Sequence, residues 1–470
     1  MEIKINERNK HQTIKKNKES ILSDVEYQAK LNTRQSSSAF LSSKKLKDLL
    51  ESFKSDKNLL EQFTTTKFSF NTKRFGDYVC NVLKTTIVSD EKGRIEDILL
   101  TVPPGEKIDE SDERHLLSLI KLMHDENENR HFTMLCHANH LPVVKSWFDK
   151  LGIHESKYSL NISIFQYSIW AQDAYVALKD ELNNPIICEG VHFPRYDDAT
   201  IADDISVQTN NSAMQSYLFF QGGNILEVGE YVLVGKDYIV ENLGRAFLET
   251  EERVIASFEK LFGKKVLPIG RQSVIPEDHR AFLGGGYYQP IFHIDMYITP
   301  TGKLTGEGKE IVLVGSPKLG RDAVGENSKL TDYDVYFDEV ADQLSRFFEV
   351  KRLPILPSFI KYYTKAPQTD ERYYYLSYNN ALVENYEDRS NVYLPSFSQD
   401  VEVYLNDSSI ITYEGTLAKR SALDKKAKEV WESLGFVVHQ MDGLEDLAIG
   451  WGSVHCITKT LVRTNKSGDA

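Results

Sequence analysis

The sequence contains few cysteines, and none of them belongs to a paired-cysteine motif. The four cysteines lie far apart along 470 residues, at Cys80, Cys136, Cys188 and Cys456. This spacing excludes a small disulfide scaffold and a typical zinc module, and it is typical of a protein from a reducing compartment. We therefore expect neither a metal nor another cofactor.

Long apolar runs are also missing. No stretch approaches the roughly 20 residues needed to span a bilayer. The Lys- and Asn-rich N-terminus has no apolar signal-peptide core. The sequence therefore predicts a cytoplasmic protein that does not associate with membranes, and it leaves open export by a route that reads no such signal.

Positive charge is in deficit. Lys and Arg number 56 against 69 Asp and Glu, which gives a formal net charge of −13. Because a protein without a basic excess does not neutralise phosphates, nucleic acid is excluded as the main partner. Hydrophobic residues make up 41% of the chain, which is enough for a sizeable packed core.

The composition changes near residue 60. Residues 1–60 are rich in Lys, Ser, Asn and Gln, which predicts a mobile tail or a small helical appendage. In residues 61–470, strand-like and helix-like segments alternate without a long structureless connection, which predicts a single folded domain. Two predicted helices have boundary signals: residues 141–151 are closed by Gly152 at the C-terminal end, and residues 251–262 lie between Thr250 and Gly263.

The segment around Cys456 is the first candidate for chemistry. Its glycines, Gly450 and Gly452, allow the backbone to come close to a ligand. The alternation after them predicts a strand that points Cys456 and His455 to opposite faces. A cysteine at the mouth of such a strand is a candidate nucleophile. The alternative is a buried cysteine that packs as a small hydrophobe.

Two further segments contain candidate site residues. Asp173 closes an apolar stretch that ends in Trp170-Ala171-Gln172-Asp173. A buried carboxylate needs a cationic or hydrogen-bonding partner, either a ligand or an internal arginine. The segment Gln221-Gly222-Gly223-Asn224 has paired glycines inside a strand pattern, which indicates a close backbone approach or an ordinary hairpin turn.

His293 and Asp295 form a polar pair in an apolar segment. A strand is expected over residues 291–298, and in a strand the two side chains point to the same face. The pair is interpreted as a catalytic histidine with an acid, as a core histidine with its orienting carboxylate, or as two metal ligands. Two ligands with one distant cysteine make an incomplete metal site.

The order of these motifs resembles one family. Trp-x-x-Asp, Gly-Gly-Asn, His-x-Asp and Gly-x-x-His-Cys-x-Thr occur in the same order in the guanidino-group-modifying enzymes of the pentein superfamily, which include agmatine, arginine and peptidylarginine deiminases and amidinotransferases. The segments Ser377-Tyr378-Asn379-Asn380 and Val392-Tyr393-Leu394-Pro395 are similar to agmatine deiminases too. The resemblance covers residues 68–463.

The resemblance implies an α+β fold, a pentein propeller of five ββαβ units around a pseudo-fivefold axis, spanning residues 61–470. It also implies a deiminase that hydrolyses the guanidinium of agmatine, arginine or peptidyl-arginine to a ureido product such as citrulline, plus ammonia. Cys456 would attack the guanidinium carbon, and His293 would protonate the departing amine and then activate water. Asp173 and Asp295 would bind the cation, because carboxylates match the fixed donor fork of a guanidinium.

The remaining expected site residues surround this centre. Substrate contacts, close backbone approach or walls of the site are expected of eight residues: Trp170, Gln221, Gly222, Gly223, Asn224, Asn380, Trp451 and Gly452. Gln221 departs from the family, because agmatine and arginine deiminases have Glu there. The missing carboxylate puts agmatine as the substrate in doubt. It bears less on the type of reaction.

Three alternatives remain open from the sequence. An amidinotransferase uses the same parts but passes the amidino group to an acceptor amine. A non-catalytic pentein only binds a partner, although such a protein has no need of all four catalytic residue types. The acidic pairs Asp197-Asp198 and Asp203-Asp204 either bind a cation such as calcium or lie on a solvated loop. The sequence predicts no oligomeric state.

Overall fold

The computed structural model describes residues 84–191, 197–209, 211–245, 248–283, 286–325, 333–363, 369–386, 389–398 and 417–464. The N-terminal extension predicted over residues 1–60, and the predicted domain start at residue 61, lie outside this part of the chain.

Strands and helices alternate along the described residues. The strands are β1 Thr85–Ile87, β2 Arg94–Thr101, β3 His131–Cys136, β4 Tyr158–Ile162, β5 Tyr175–Asp180, β6 Pro185–Glu189, β7 Ser212–Gln215, β8 Ile225–Val228, β9 Tyr231–Gly235, β10 Lys265–Ile269, β11 Ile298–Leu304, β12 Glu310–Ser316, β13 Glu349–Tyr363, β14 Thr369–Ser377, β15 Leu382–Tyr386, β16 Arg389–Pro395, β17 Val437–Met441 and β18 Lys459–Thr464. The helices are α1 Glu110–Glu126, α2 Leu141–Leu151, α3 Ile201–Gln208, α4 Lys236–Glu241, α5 Glu251–Phe262, α6 Glu277–Leu283, α7 Pro317–Val324, α8 Asp334–Ser345, α9 Leu417–Ser433 and α10 Glu445–Ile449.

Within the described residues, the strands form five small sheets with one recurring pattern. The sheets have the orders β18-β2-β3-β4, β1-β5-β6-β7, β10-β9-β8, β11-β12-β13-β14 and β15-β16-β17. Each contains an antiparallel pair whose second strand lies parallel to a third, after a connection that contains a helix. The predicted α+β class is confirmed, and the arrangement around a fivefold axis stays a prediction.

The two helices with predicted boundary signals form, and their signals act as predicted. Helix α2 ends at Gly152, which has a left-handed φ of 69°. Helix α5 begins after Thr250, whose side chain accepts a hydrogen bond from the Arg253 amide, and it ends at Gly263 with φ 67°. These boundaries follow from local chemistry, since a hydroxyl satisfies a free amide and glycine adopts positive φ without a Cβ clash.

The last strand completes the sheet that the first long strand begins. In β18, Lys459 pairs with Leu99 and Thr460 with Ile98 of β2, in antiparallel register. Cys456 lies only three residues before this strand, so the pairing of distant chain segments fixes where the cysteine is placed.

A buried ion pair joins two of the sheets. Arg130 and Glu384 are both fully buried, and Arg130 Nη2 lies 2.6 Å from Glu384 Oε1. The same carboxylate oxygen accepts a hydrogen bond from the Ile95 amide of β2 at 2.8 Å, and Tyr393 of β16 donates its hydroxyl to the other oxygen at 3.1 Å. A buried charge pair needs such additional hydrogen bonds to offset desolvation.

Two predicted strands are wrong, and both lie in the predicted site. The segment expected as a strand over residues 291–298 is irregular, with a 3₁₀ turn at Ile294–Met296 after His293. The strand expected to contain Cys456 begins only at Lys459, and the cysteine lies in a turn. In both places, apolar alternation reflects burial of a compact turn rather than a strand.

No helix in the described ranges is both long enough and apolar enough to cross a membrane.

Candidate active site

Cys456 lies on a turn, with only 1% of its surface exposed. One side packs in an apolar cluster that includes Ile294, Tyr297 and Phe337. The other side meets polar groups: Asn380 Nδ2 donates to Sγ at 3.0 Å, and the Cys456 amide donates to Asn380 Oδ1 at 3.1 Å. The sulfur is therefore held at a polar boundary and does not act only as a core hydrophobe.

Asp295 connects Cys456 with the preceding histidine. One oxygen, Asp295 Oδ2, lies 2.8 Å from His455 Nδ1 and 3.5 Å from the Cys456 sulfur. The prediction that Cys456 and His455 point to opposite faces is wrong, because a turn replaces the strand and both side chains reach one carboxylate. The other oxygen, Asp295 Oδ1, is buried and has no hydrogen-bond partner within the described chain.

His293 lies among three polar side chains. Its Nε2 is 2.7 Å from Gln221 Oε1 and 3.2 Å from the Tyr238 hydroxyl, and its Nδ1 is 3.6 Å from Asp173 Oδ1. Tyr238 belongs to α4 and was not among the predicted site residues. These partners fix the orientation of the imidazole and leave Nδ1 facing the Asp173 carboxylate.

Gly223 marks the point on which the predicted catalytic groups converge. A Cβ added there would lie 2.6 Å from His293 Nδ1 and 3.1 Å from both Asp173 Oδ1 and Asp295 Oδ2. Real Cβ atoms essentially never come within 3.0 Å of another heavy atom, so only glycine fits. Three side chains from two distant segments therefore surround the backbone of a third.

Hydrogen bonds join the four sequence motifs into a closed ring. The Gln172 amide donates to the Cys456 carbonyl at 3.1 Å, and the Gly222 amide donates to the Asp173 carbonyl at 2.7 Å. Asn224 Oδ1 accepts from the Ile294 amide at 3.1 Å, and the Asp295–His455 contact closes the ring. Asn224 thus connects the turn that follows Gln221 with the turn that follows His293. Its Oδ1 also accepts a hydrogen bond from Gln289 Nε2 at 2.8 Å.

The tryptophans and the other glycines of the motifs pack against one another. An added Cβ at Gly452 would lie 2.2 Å from the Trp170 ring, and one at Gly450 would lie 2.9 Å from the same ring. The space beside these glycines therefore holds an indole, where the sequence predicted a ligand. Trp451 adopts a positive φ of 68°, and its ring lies 5.6 Å from that of Phe292, next to His293.

Gly222 approaches backbone atoms instead of a side chain. A Cβ there would lie 2.0 Å from the Gln172 carbonyl oxygen and 2.6 Å from that of Tyr175. The turn that contains Gly222 can therefore lie directly against the segment that positions Asp173. The paired glycines are needed for two different close contacts, and neither lies in a strand as predicted.

Burial and the charges around Cys456 keep its thiol protonated. Burial raises the pKa of the Cys456 thiol well above its ordinary value, and the charges of Asp295 and Asp173 raise it further. Hydrogen bonds from the Ser453 backbone and the Asn380 side chain oppose this rise. Since two like charges hold the proton on sulfur, a cation bound between these acids would lower the pKa of the thiol.

A cavity adjoins this centre on the side of β18. It is lined by Asp90, Gln172, His455, Thr458 and Lys459, together with apolar residues of β1, β5 and β8. A second cavity shares Asp90 and His455 with the first and reaches Asp295. The Asp295–His455 contact therefore separates the Cys456 sulfur from these cavities.

The acidic pairs do not lie on a solvated loop. Asp198 is fully buried and accepts hydrogen bonds from the Ser168 amide at 2.6 Å and the Ser168 hydroxyl at 2.7 Å. The Ser168 hydroxyl accepts from the Trp170 amide at 3.2 Å, so Asp198 supports the turn that leads to Asp173. In the described ranges, no group of three or more His, Cys, Asp or Glu side chains is arranged to hold a metal ion.

Solved structures with the same architecture are found, although no protein-family model and no curated protein sequence matches this chain. A structural-genomics target assigned as an agmatine deiminase matches with a TM-score of 0.55 at 15% identity, over 80% of this chain and 96% of its own. The agmatine deiminase of C. jejuni matches with a TM-score of 0.51 at 13% identity, over 82% of this chain and 96% of its own. The chain has the agmatine deiminase fold. Agmatine deiminases are penteins, so the resemblance predicted from the sequence is confirmed at the level of the fold.

The agmatine deiminase fold brings together residues that sequence reasoning missed. His455, Tyr238 and Lys459 lie at the centre beside the predicted residues. Tyr238 had no sequence signal. Lys459 belongs to residues 453–459, a segment whose sequence is similar to agmatine deiminases, but the similarity assigned it no role. His455 had a signal, because it lies next to Cys456 in the sequence. The predicted strand, however, pointed its side chain away from the site.

Proposed function

We propose that the protein is a guanidino-group hydrolase, a deiminase in which Cys456 is the nucleophile. The observation that carries the proposal is the convergence of His293, Asp173 and Asp295 on Gly223, with the Cys456 sulfur 3.5 Å from Asp295. Two carboxylates, an imidazole and a thiol are the groups that attack on a planar cation requires. We also infer that the five sheets surround a pseudo-fivefold axis, as in a pentein propeller.

The buried acids define how a substrate would bind. Asp173 and Asp295 are both nearly fully buried, and Asp295 Oδ1 has no partner within the described residues. An unpaired carboxylate oxygen in a buried site carries a desolvation cost that a bound N–H donor removes. A guanidinium between the two acids would supply such donors and a compensating charge, and Trp170 and Trp451 would stand beside it.

The first chemical step would form a bond between sulfur and carbon. With the cation bound, the charge of Asp173 and Asp295 that holds the proton on Cys456 is offset. The S–H bond breaks, its proton passes to His293, and the resulting thiolate attacks the guanidinium carbon. One C–N bond then breaks, and His293 gives its proton to the departing nitrogen, which leaves as ammonia. The product of this step is a thiouronium on Cys456.

The second step would release the enzyme. His293, now neutral, accepts a proton from water, and the resulting hydroxide adds to the thiouronium carbon. The C–S bond breaks, the hydroxyl proton of the adduct passes to the departing sulfur as the C=O bond forms, and the ureido product leaves. The proton on His293 is then lost to water. Asn380 would act in both steps, because its Nδ2–H donates to the sulfur whenever the sulfur carries negative charge.

Gln221 bears on which guanidine is accepted. Its Oε1 lies 2.7 Å from His293 Nε2, so the position contacts the imidazole directly. A neutral amide here leaves the site with one negative charge fewer than a glutamate would. Since agmatine and arginine deiminases both have Glu at this position, we infer that the substrate is neither of these small molecules and that an arginyl side chain is the better candidate.

A substrate panel tests the function. Purified full-length protein is incubated with agmatine, free arginine and an arginyl peptide, and ureido product and ammonia are measured. We expect equal amounts of both from at least one guanidine, and none from Cys456→Ala. Cys188→Ala is the matched control, because Cys188 is also a buried cysteine but lies in strand β6, outside the proposed site.

The same panel separates the alternatives. A protein that releases ammonia only when glycine or another amine is added as acceptor would be an amidinotransferase. A protein that binds no guanidine and turns none over would be a binding protein, and the hydrolase proposal would fall.

A further inference from the structure

Lys459 is a buried amine beside the proposed active site, and no hydrogen-bond or ion-pair partner of its Nζ lies among the described residues. Its side chain is 5% exposed. The nearest aromatic ring is Tyr175, whose centroid lies 5.9 Å from Nζ. Buried lysines are almost always paired, so an isolated one requires an explanation.

The amine borders the cavity behind the catalytic centre. Lys459, Asp90, Gln172 and His455 line the same space. His455 Nδ1 in turn contacts the Asp295 oxygen that faces the Cys456 sulfur. The cavity therefore extends from Lys459 to His455, which contacts the carboxylate that would bind a guanidinium.

The groups that face Lys459 come from four segments. Asp90 follows β1, Tyr175 begins β5 beside Asp173, and Asp295 and His455 belong to the two site turns. Burial lowers the pKa of Lys459 to about 8, while the charges of Asp90, Asp173 and Asp295 raise it. Two of the three acids that keep this ammonium charged are thus the acids of the proposed guanidinium site.

We propose that Lys459 is a counter-cation of Asp173 and Asp295, and that it releases its proton when a guanidinium binds between these two acids. This inference rests on the function proposed above. The bound cation neutralises two of the three acids that stabilise the ammonium and adds a like charge nearby. One N–H bond of the ammonium breaks, the proton passes to water, and the lone pair stays on Nζ.

The direction of the pH effect follows from this exchange. Below the titration midpoint of Lys459 the amine is charged, so a guanidinium must displace a proton in order to bind. Binding therefore tightens as the pH rises, by up to about tenfold per pH unit for one proton released, and levels off above the midpoint. A fixed positive charge at this position would remove the pH dependence and weaken binding at every pH.

The first experiment needs no substrate. Full-length protein with ¹³C-labelled lysine side chains is titrated by NMR, and the Lys459 signal is assigned by its loss in Lys459→Arg. We expect a midpoint near pH 8, as the surroundings indicate. Asp173→Asn and Asp295→Asn, which imitate neutralisation by a cation, should each lower this midpoint by about one unit.

Lys92 provides an internal control for these titrations. Burial opposes its charge, but its ion pair with Glu310 raises the pKa of Lys92 above the ordinary value. Its midpoint should not move in Asp173→Asn or Asp295→Asn. The proposal is overturned if Lys459 titrates with the midpoint of an ordinary lysine, or if neither substitution changes its midpoint.

The second experiment measures proton release. Arginine and agmatine are titrated into Cys456→Ala, which removes the thiol as a proton source, by calorimetry in buffers of different ionisation enthalpy. We expect close to one proton released per guanidine bound near pH 7, and none in Cys456→Ala with Lys459→Met. No release from a guanidine that binds overturns the proposal.

Failure of the proposed function gives a different result. In that case no guanidine binds or is turned over, while the Lys459 midpoint still lies near pH 8 and still responds to Asp173→Asn and Asp295→Asn. The coupling of Lys459 to the acids would then stand, and the ligand class alone would be wrong.

Discussion

Asn380 and Cys456 exchange two hydrogen bonds, in which the amide group of Asn380 donates to the sulfur and accepts from the backbone of the cysteine. The pairing fixes the sulfur from both sides, because one contact positions the backbone and the other positions the side chain. Asn380 also accepts a backbone hydrogen bond from His455 at its carbonyl, at 3.3 Å. The asparagine thus holds the whole cysteine turn against the sheet that contains β15.

Asn380→Ala should leave the fold intact and lower the reactivity of the Cys456 thiol. Loss of the donor to sulfur destabilises the thiolate, so the pH at which Cys456 becomes reactive should rise and turnover should fall on the order of tenfold to a hundredfold. The rate of Cys456 alkylation by iodoacetamide against pH measures the first effect. Asn379→Ala is the matched control, because Asn379 bonds Thr299 and the Leu313 carbonyl and makes no contact with the sulfur.

Asp295→Asn should make Cys456 more reactive while it abolishes catalysis. After burial, the Asp295 charge is the largest cause that raises the pKa of the thiol, and removing a nearby like charge lowers that pKa. Cys456 should therefore be alkylated faster at neutral pH than in the unsubstituted protein, although ureido product is no longer formed.

Cys136 is the internal control for this comparison. Burial alone raises the pKa of Cys136 to about 11, without a contribution from a carboxylate. Peptide mapping by mass spectrometry should show an unchanged Cys136 rate. Slower alkylation of Cys456 in Asp295→Asn would contradict the assignment of Asp295 as the charge next to the sulfur.

Gly223→Ala should inactivate the protein without unfolding it. The new methyl group would lie 2.6 Å from His293 Nδ1, so the imidazole must shift and the space between the acids is filled. We expect turnover to fall at least about a hundredfold, since misplacement by about 1 Å has that effect. Circular dichroism should stay unchanged.

Gly306→Ala is the matched control for Gly223→Ala. Gly306 has open space where a Cβ would lie and no strained backbone angle, so its variant should retain full activity. Equal activity in the two variants would mean that the gap beside Gly223 plays no part in turnover.

Arg130→Met should destabilise the fold with no direct effect on the site. It leaves Glu384 charged and fully buried, which costs about 3–5 kcal/mol in the free energy of unfolding. Arg94→Met removes a half-exposed pair with Glu96 and should cost no more than about 1 kcal/mol. Urea unfolding followed by tryptophan fluorescence measures both, and similar losses in the two variants would count against the buried pair.

Local signals predicted local structure well. The ends of α2 and α5 were found from Gly152, Thr250 and Gly263, because a cap depends on atoms within a few residues of the helix end. The motif order also predicted the fold, since it resembles that of penteins. Such signals need no knowledge of what packs against the segment.

The arrangement of the site was harder to predict. Strand alternation placed His455 away from Cys456, but the backbone turns there and both side chains reach Asp295. Asp173 was expected to need a cationic or hydrogen-bonding partner, and the structure places it beside His293. These contacts join residues more than a hundred positions apart, so spacing along the chain contains no record of them.

The pairing of β18 with β2 has a consequence for the growing chain. During synthesis, β2 emerges more than 350 residues before the strand that covers its open edge. Until that strand docks, its pairing cannot help to hold the turn that carries Cys456, and the nascent protein presents an unfinished sheet. A ribosome that stalls before residue 459 would leave an unpaired β-edge for chaperones to shield.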